Sequence, residues 1–165
     1  MCGEVLQHVA QQTYLGVELT KDLDWGPHIQ KISAKANRTL NMVRRNLYSC
    51  PQNIKERAYI ALVRPTLEYA HTVWDPYQKN HINHLEGVQR KAVRFVKGEY
   101  SRMVSVTEMR ESLQWATLHQ RRCVARLTML HKAVNNESAV SMLAYFNIQV
   151  RSLRGQHDHS FINVH

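Results

Sequence analysis

Residues 58–96, which read AYIALVRPTLEYAHTVWDPYQKNHINHLEGVQRKAVRFV, decide the fold of this chain. The stretch starts with an apolar segment that Pro65 interrupts, passes through a Trp74-Asp75-Pro76 turn and ends in an amphipathic segment with a basic far side. Proline inside a helix removes a backbone donor and crowds the preceding turn. The sequence therefore predicts a kinked helix, a turn and a second helix in this order.

The first of these helices is expected to begin at Pro51. Its kink or break should fall between Leu62 and Thr66, with helix resuming toward Trp74. The second helix is predicted over residues 79–97, and it should stop at Gly98, because glycine tolerates the left-handed geometry of a helix end. Its buried row is expected to be Ile82, Leu85, Val88, Ala92 and Phe95.

Two short extended segments precede these helices. The first carries Val5, Leu6 and Val9, the second runs from Tyr14 to Leu19, and the polar Gln11-Gln12-Thr13 stands between them as a break. A two-stranded β-hairpin is the simplest interpretation. A long helix should follow, with Asp24 as its N-cap and Pro27 in its first turn. Its predicted buried stripe is Ile29, Ile32, Ala36, Leu40, Val43 and Leu47.

Two more helices are predicted after Gly98. Ser105 lies three residues before Glu108, as in a capping box that opens a short helix. Thr117 can cap a final helix that runs to about Val134. Because that helix has apolar residues on two sides, we expect it to be an inner one. Beyond Asn135 the periodicity fades, so a weakly structured tail is expected.

The predicted fold is mainly α. It has a short N-terminal β-hairpin, a bundle of about four to five helices and an irregular C-terminal tail. The predicted boundaries are residues 1–22 for the hairpin, 23–135 for the helical domain and 136–165 for the tail. A chain of 165 residues is long enough to bury a core in one domain without disulfides or metal.

The charge of the chain favours an anionic partner. Its 22 Lys and Arg outnumber its 13 Asp and Glu, which gives a formal net charge of +9. Nucleic acid, an anionic membrane surface and solubility alone are the three explanations of such a balance, and nucleic acid leads. The three cysteines show no CxxC spacing, and neither a membrane span nor a signal peptide is visible. We expect an intracellular protein, in the nucleus or cytoplasm, without a membrane partner.

Two helix faces carry cations that have almost no acidic partner within their own helix. No Asp or Glu occurs between Asp24 and Glu56, and none occurs between Glu86 and Glu99. Unpaired like charges on a helix repel each other, so a polyanion that neutralises them explains the pattern better than plain solvation does. The nucleic-acid-binding candidates are Lys31, Lys35, Arg38, Arg45, Arg90, Lys91, Arg94 and Lys97, with Arg121 and Arg122 as weaker ones.

Catalytic and metal-binding residues are not indicated by the sequence. It contains four Asp and no Asp-Asp pair, whereas nucleotide polymerisation needs carboxylates that share two metal ions. His81 and His84 lie three residues apart, but no Cys is near them, and solvated histidines are the simpler interpretation. No catalytic residue, metal site or cofactor is therefore assigned to this chain.

Ordered motifs over residues 14–130 give the chain a family resemblance. They include Tyr14-Leu15-Gly16-Val17, Ala36-Asn37-Arg38, Leu67-Glu68-Tyr69-Ala70 and Val73-Trp74-Asp75-Pro76, followed by Gln120-Arg121-Arg122. In this order they resemble the region after the catalytic core in reverse transcriptases of LINE-type, non-LTR retrotransposons of the jockey-like kind.

This resemblance implies where the chain would meet nucleic acid. Tyr14, Leu15, Gly16 and Val17 resemble the end of the palm, close to the grip that positions the primer terminus. The helices after them would form a thumb that closes on an RNA/DNA template-primer duplex. Lys31, Lys35, Arg38, Arg90 and Arg94 are candidates for backbone contact, although the charge argument, not the motifs, selects them.

The departure from the family is large. Family members carry an Ala-Asp-Asp catalytic motif upstream, and their activity implies Mg²⁺, but this sequence has no such motif. We therefore expect a fragment cut at both ends that is inactive alone as a polymerase. A separate catalytic half or self-association could complete it. The alternative is a non-enzymatic helical interaction or dimerisation module derived from a decayed element.

Overall fold

The computed structural model describes residues 9–135, Glu137, 148–149 and 160–161. The described residues group into two units that divide between Arg122 and Cys123. The predicted mainly α fold with an N-terminal hairpin is confirmed. The predicted domain boundaries at residues 22 and 135 stay predictions.

The hairpin pairs β1 (Gln11–Tyr14) with β2 (Val17–Thr20) in antiparallel register, so that Tyr14 lies opposite Val17. Leu15 and Gly16 form the turn, with φ angles of 46° and 82°. Two-residue turns with positive φ match the twist of the strands that they join. A hairpin is confirmed, but its strands differ from the predicted ones. The polar segment Gln11-Gln12-Thr13 belongs to a strand and is not a break, and Leu15 and Gly16 are the turn and not part of the second strand. Val5 and Leu6, predicted in the first strand, lie outside the described residues. All four residues of β1 are exposed, so this strand needs no apolar alternation.

The long helix α1 spans Gly26–Asn46 and has Pro27 in its first turn, as predicted. Its N-cap is Trp25 instead of Asp24, and Asp24 Oδ1 accepts a hydrogen bond from Gly26 N at 3.0 Å. The buried stripe is also confirmed. Its fully buried members are Ile29, Ala36, Leu40 and Val43.

The helix around Pro65 changes its hydrogen-bond pattern before the proline. α2 (Gln52–Ala58) continues into a π-helical segment, Tyr59–Val63, and then into α3 (Arg64–Glu68). Arg64 N donates to Tyr59 O, five residues back, as in a π-helix. This wider turn accommodates Pro65, which has no backbone N–H to donate. The expected interruption is confirmed, but resumption toward Trp74 is wrong. α3 ends at Glu68, and Ala70 turns the chain away with a φ of 52°.

Trp74 connects this turn to the hairpin and to α1. Its side chain is fully buried, and its Nε1 donates to Tyr69 O at 2.7 Å. The buried ring of His28 packs against it edge-on with 5.0 Å between ring centroids. His28 Nδ1 in turn accepts a hydrogen bond from Glu18 N at 3.2 Å. Three elements that are distant in sequence therefore meet at one indole ring.

α4 spans Lys79–Lys97 and ends at Gly98, whose φ of 69° is left-handed. Both bounds and the glycine cap agree with the prediction. Its buried residues pack in one core with those of α1, α3 and the π-helical segment. They are Leu85, Val88, Gln89, Ala92, Val93, Phe95 and Val96.

The last two helices begin at the predicted caps. Ser105 Oγ accepts from Glu108 N at 3.4 Å ahead of α5 (Val106–Ser112). Thr117 Oγ1 accepts from Gln120 N at 3.0 Å ahead of α6 (Leu118–Val134). Between these helices, Trp115 stacks on Tyr59 with 4.5 Å between ring centroids.

The expected inner position of α6 is wrong. Apolar residues on two sides of a helix are buried only where other residues cover both sides. Val124, Leu127 and Met129 are exposed, with relative accessibilities of 63%, 65% and 47%. Leu118 and Ala133 are the buried apolar residues of this helix in the described part.

The predicted tail, residues 136–165, lies outside the described residues except for Glu137 and two short strands. These are β3 (Ile148–Gln149) and β4 (Ser160–Phe161), which pair antiparallel with Ile148 opposite Phe161.

Replacing Trp74 by Ala should lower the free energy of unfolding by about 3 to 5 kcal/mol, because it opens a cavity and leaves Tyr69 O without its donor. Urea unfolding followed by circular dichroism measures the change. Tyr77→Ala, at a tyrosine that is 84% exposed, is the control and should shift stability by less than about 0.5 kcal/mol. A loss below about 1 kcal/mol for Trp74→Ala would contradict the central role of this indole.

Stability should also fall in two steps on acidification. Burial lowers the pKa of His28 below its ordinary 6.5, so the unfolded chain takes up a proton first and stability declines as pH falls below about 6.5. A hydrogen bond from Lys31 lowers the pKa of Glu18 from 4.5 to about 2, so its contribution is lost between those pH values. His28→Gln should remove the first step alone and Glu18→Gln the second, as measured by urea unfolding from pH 8 to about 2.

Candidate nucleic-acid interface

A groove lined by arginines and aromatic rings runs between α1 and the end of α4. Its volume is about 1040 Å³. We call it the basic groove, and its lining residues are Arg38, Asn41, Arg44, Arg45, Tyr48, Phe95 and Tyr100.

The local sequence explains this arrangement. On α1, spacings of three and four residues bring Arg38, Asn41 and Arg45 to the side away from the buried stripe. Tyr48 follows the helix directly after its C-cap at Leu47. The left-handed turn at Gly98 ends α4 and reverses the chain, which returns Tyr100 to the groove beside Arg44.

Among the described residues, no carboxylate lines the groove. Two of its aromatic rings instead face cations, because Arg44 Cζ lies 5.5 Å from the Tyr100 ring centroid and Lys55 Nζ lies 5.4 Å from that of Phe95. Cation–π contacts orient a cation without cancelling its charge. The groove is therefore positively charged and suited to an anion.

The four predicted binding residues on α1 differ in their surroundings. Lys31 pairs with the Glu18 carboxylate, and its Nζ also lies 3.5 Å from Thr13 Oγ1. Lys35, Arg38 and Arg45 are exposed and form no ion pair within the described residues. Arg38 and Arg45 lie in the basic groove, whereas Lys31 is partly neutralised by the hairpin.

The predicted residues on α4 contact neutral groups. Arg90 Nη2 donates to Asn83 O at 3.3 Å, Lys91 Nζ to Asn37 Oδ1 at 3.1 Å, and Arg94 Nη1 to Ser101 O at 2.7 Å. Lys97 is half-buried. These contacts fix the side chains but leave their charges uncompensated, and the Lys91 contact places this row beside α1.

Arg121 and Arg122 pair with acids of the fold. Arg121 binds the Glu68 carboxylate through two nitrogens, with Nη2 at 3.1 Å from Oε2, and this hydrogen bonding raises the pKa of Arg121. Arg122 is 1% exposed, and its Nε donates to Asp75 Oδ1 at 2.9 Å. Both guanidinium groups thus pair with carboxylates of the same chain and are not free to bind a ligand anion.

Tyr14, Leu15, Gly16 and Val17, the predicted primer-grip-like residues, surround the hairpin turn. Tyr14 and Leu15 are 65% and 73% exposed, whereas Val17 is buried in the core. Tyr69 OH donates to Leu15 O at 2.9 Å and holds the turn against the end of α3. The structure therefore places this motif outside the basic groove, on a different set of elements.

Five groove residues were not predicted as site candidates from the sequence: Asn41, Arg44, Tyr48, Phe95 and Tyr100. Arg44 lies in the acid-free interval and could have been included. Phe95 was assigned to the core, and it is indeed only 2% exposed while lining the groove. Tyr48 and Tyr100 follow the ends of helices, where periodicity gives no direction.

No group of three or more His, Cys, Asp or Glu side chains in the described part of the chain could hold a metal ion. No helix among them is long and apolar enough to cross a membrane.

Part of the chain is similar to a known transposon protein. The chain is 26% identical over 97 residues to a protein of Drosophila melanogaster named "Probable RNA-directed DNA polymerase from transposon BS". The aligned part covers 57% of this chain and 11% of the Drosophila protein. No protein-family model matches the sequence, and no solved structure matches it. The chain is therefore similar to a small part of a reverse transcriptase.

Asp75→Asn should lower the free energy of unfolding by about 3 kcal/mol, because it leaves the buried Arg122 guanidinium without a compensating charge. Glu111→Gln is the matched control, since the Glu111 side chain is 65% exposed and its contact with Arg110 measures 3.5 Å. The control should change stability by less than about 0.5 kcal/mol. Equal effects of the two substitutions in urea unfolding would show that burial does not strengthen the Asp75 pair.

Proposed function

We propose that this chain is a template-primer-binding segment of a reverse transcriptase from a LINE-type, jockey-like retrotransposon, corresponding to the end of the palm and the thumb. It holds an RNA/DNA duplex and carries no catalytic carboxylates of its own. The single observation that carries this proposal is the acid-free basic groove beside the cationic row of α4. The similarity to the Drosophila polymerase agrees with it.

The binding surface consists of the uncompensated cations of the two helices. Arg38 and Arg45 lie seven residues apart on α1, which is about 10 Å along a helix, so they can meet different phosphates of one strand. Arg90, Arg94 and Lys97 form a second row at spacings of four and three residues. Each cation that meets a phosphate releases condensed counterion, so binding is sensitive to salt and largely independent of sequence.

In this function the chain positions a duplex and leaves the chemistry to another part of the polymerase. Polymerisation would need a catalytic portion with its own metal-binding carboxylates. A protein that binds an RNA/DNA duplex would act inside the cell, in the nucleus or the cytoplasm, where an RNA template is available.

An apolar interaction module is the second candidate, and exposed side chains near the hairpin turn favour it. Leu15 is 73% exposed, and Tyr69, which is hydrogen-bonded to it, is 56% exposed. Association through such a surface would persist or strengthen as salt is raised. Phosphate binding has the opposite salt dependence, which separates the two functions.

Fluorescence anisotropy with a labelled RNA/DNA duplex, over about 50 to 300 mM salt, tests the first function. The slope of log affinity against log salt should be negative, and it should become shallower by about 1.8 in Arg38→Ala/Arg45→Ala, because two phosphate contacts are lost. Lys21→Ala/Lys79→Ala removes the same charge from exposed residues outside the groove and should retain most of the slope.

Two results would contradict the proposal. A folded, helical sample that fails to bind duplex at low salt rules out the binding function. If both double variants lose the same amount of salt slope, binding depends on the overall positive charge of the chain and not on the groove. Self-association that persists at high salt, measured by sedimentation on the same samples, would favour the interaction module instead.

A further inference from the structure

The three aromatic rings of the basic groove are not equivalent. Tyr100 faces Arg44 and Phe95 faces Lys55, so each of them already has a cation over its ring. Tyr48 has no ring or cation against it within the described residues, and it is 75% exposed. The groove therefore offers one bare aromatic face among three guanidinium groups.

We infer that this groove binds an unpaired nucleotide of a single strand, with its base stacked on Tyr48. The inference rests on the proposed nucleic-acid binding and specifies the part of the ligand that enters the groove. Base stacking on an aromatic side chain is strong and tolerates any base, and it requires a base that is free of the duplex stack. A continuous duplex presents phosphates outward and cannot offer a base face to Tyr48.

The other lining residues complement the remaining parts of a nucleotide. Arg38 and Arg45 are exposed on the α1 side and can bind phosphate oxygens, whereas Arg44 is oriented by Tyr100. Asn41 lies between Arg38 and Arg45 on α1, and its exposed amide can both donate to and accept from a base edge. With about 1040 Å³ the groove matches the upper range of small-molecule sites.

Charge complementarity selects the occupant. The groove has no acidic lining residue, so an anionic ligand gains from every guanidinium that it meets. An acidic peptide made only of Asp and Glu has the charge but lacks a planar ring for Tyr48. A single strand provides both the negative charge and the stacking face.

The experiment compares single-stranded DNA of about 12 nucleotides, carrying one 2-aminopurine, with a blunt RNA/DNA duplex of the same length. Stacking on Tyr48 should quench 2-aminopurine fluorescence on binding. Tyr48→Leu should weaken binding of the single strand by about tenfold more than binding of the blunt duplex, and it should abolish the quench. Tyr48→Phe keeps a π face and should retain both the affinity and the quench.

Tyr77→Leu is the matched control, since it makes the same change at another exposed tyrosine that does not line the groove. Its affinity for the single strand should stay within about twofold of the unchanged protein. Thermal melts of all three variants show whether they fold, and Tyr48→Phe keeps the test informative if Tyr48→Leu is unstable.

The outcomes separate this inference from the proposed function. Duplex binding without single-strand binding would overturn the inference and leave the function intact, whereas absence of both would overturn both. Equal weakening of single strand and duplex by Tyr48→Leu would show that no base stacks there. If polyglutamate competes as effectively as the oligonucleotide, the groove binds polyanions in general and the inference is overturned.

Discussion

Burial of Trp74 is the constraint on which the described residues up to Arg122 depend. The indole is fully buried, and its one polar atom donates to Tyr69 O at 2.7 Å. A buried N–H without an acceptor would cost about 1 to 3 kcal/mol, so the chain after α3 must turn to bring that carbonyl within reach. His28 packs edge-on against the ring, and its Nδ1 accepts a hydrogen bond from the backbone N–H of Glu18. One side chain thereby fixes the positions of β2, α1 and the turn after α3.

A second consequence concerns where the acids are used. Glu18 pairs with Lys31, Glu56 accepts from Trp115, Glu68 binds Arg121 and Asp75 binds Arg122. Each of these carboxylates thus stabilises the fold from a position away from the groove. None of the described acidic residues lines the groove, so the cations on the outer sides of α1 and α4 have no carboxylate beside them there. The positive groove therefore follows from where the acids lie in the fold, in addition to the net charge of the chain.

Local signals in the sequence were sufficient for the helices and insufficient for contacts between distant residues. The bounds of α4, the glycine at its end and the caps of α5 and α6 were predictable because they depend on residues within one turn of each other. The pairing of Arg122 with Asp75 joins residues 47 apart, and no periodicity reveals it. The groove was found only in part for the same reason, since Tyr48 and Tyr100 meet it after helix ends, where the chain direction depends on tertiary packing.

The errors of prediction concern surfaces that hydrophobicity alone describes poorly. β1 is a strand without a buried face, so its polar composition resembled a break. α6 keeps Leu127 exposed although its pattern indicated burial on two sides. At the hairpin turn, Leu15 is exposed and has a positive φ, a conformation that glycine or asparagine adopts at lower cost.

Tyr69 joins the hairpin turn to the core. Its hydroxyl donates to Leu15 O in the turn, and its carbonyl accepts from the buried Trp74. The turn is therefore fixed to the same core that orients α1. A ligand that contacts the turn and one that contacts the groove would therefore meet two parts of one packed unit, which suits a segment that holds a nucleic acid in place.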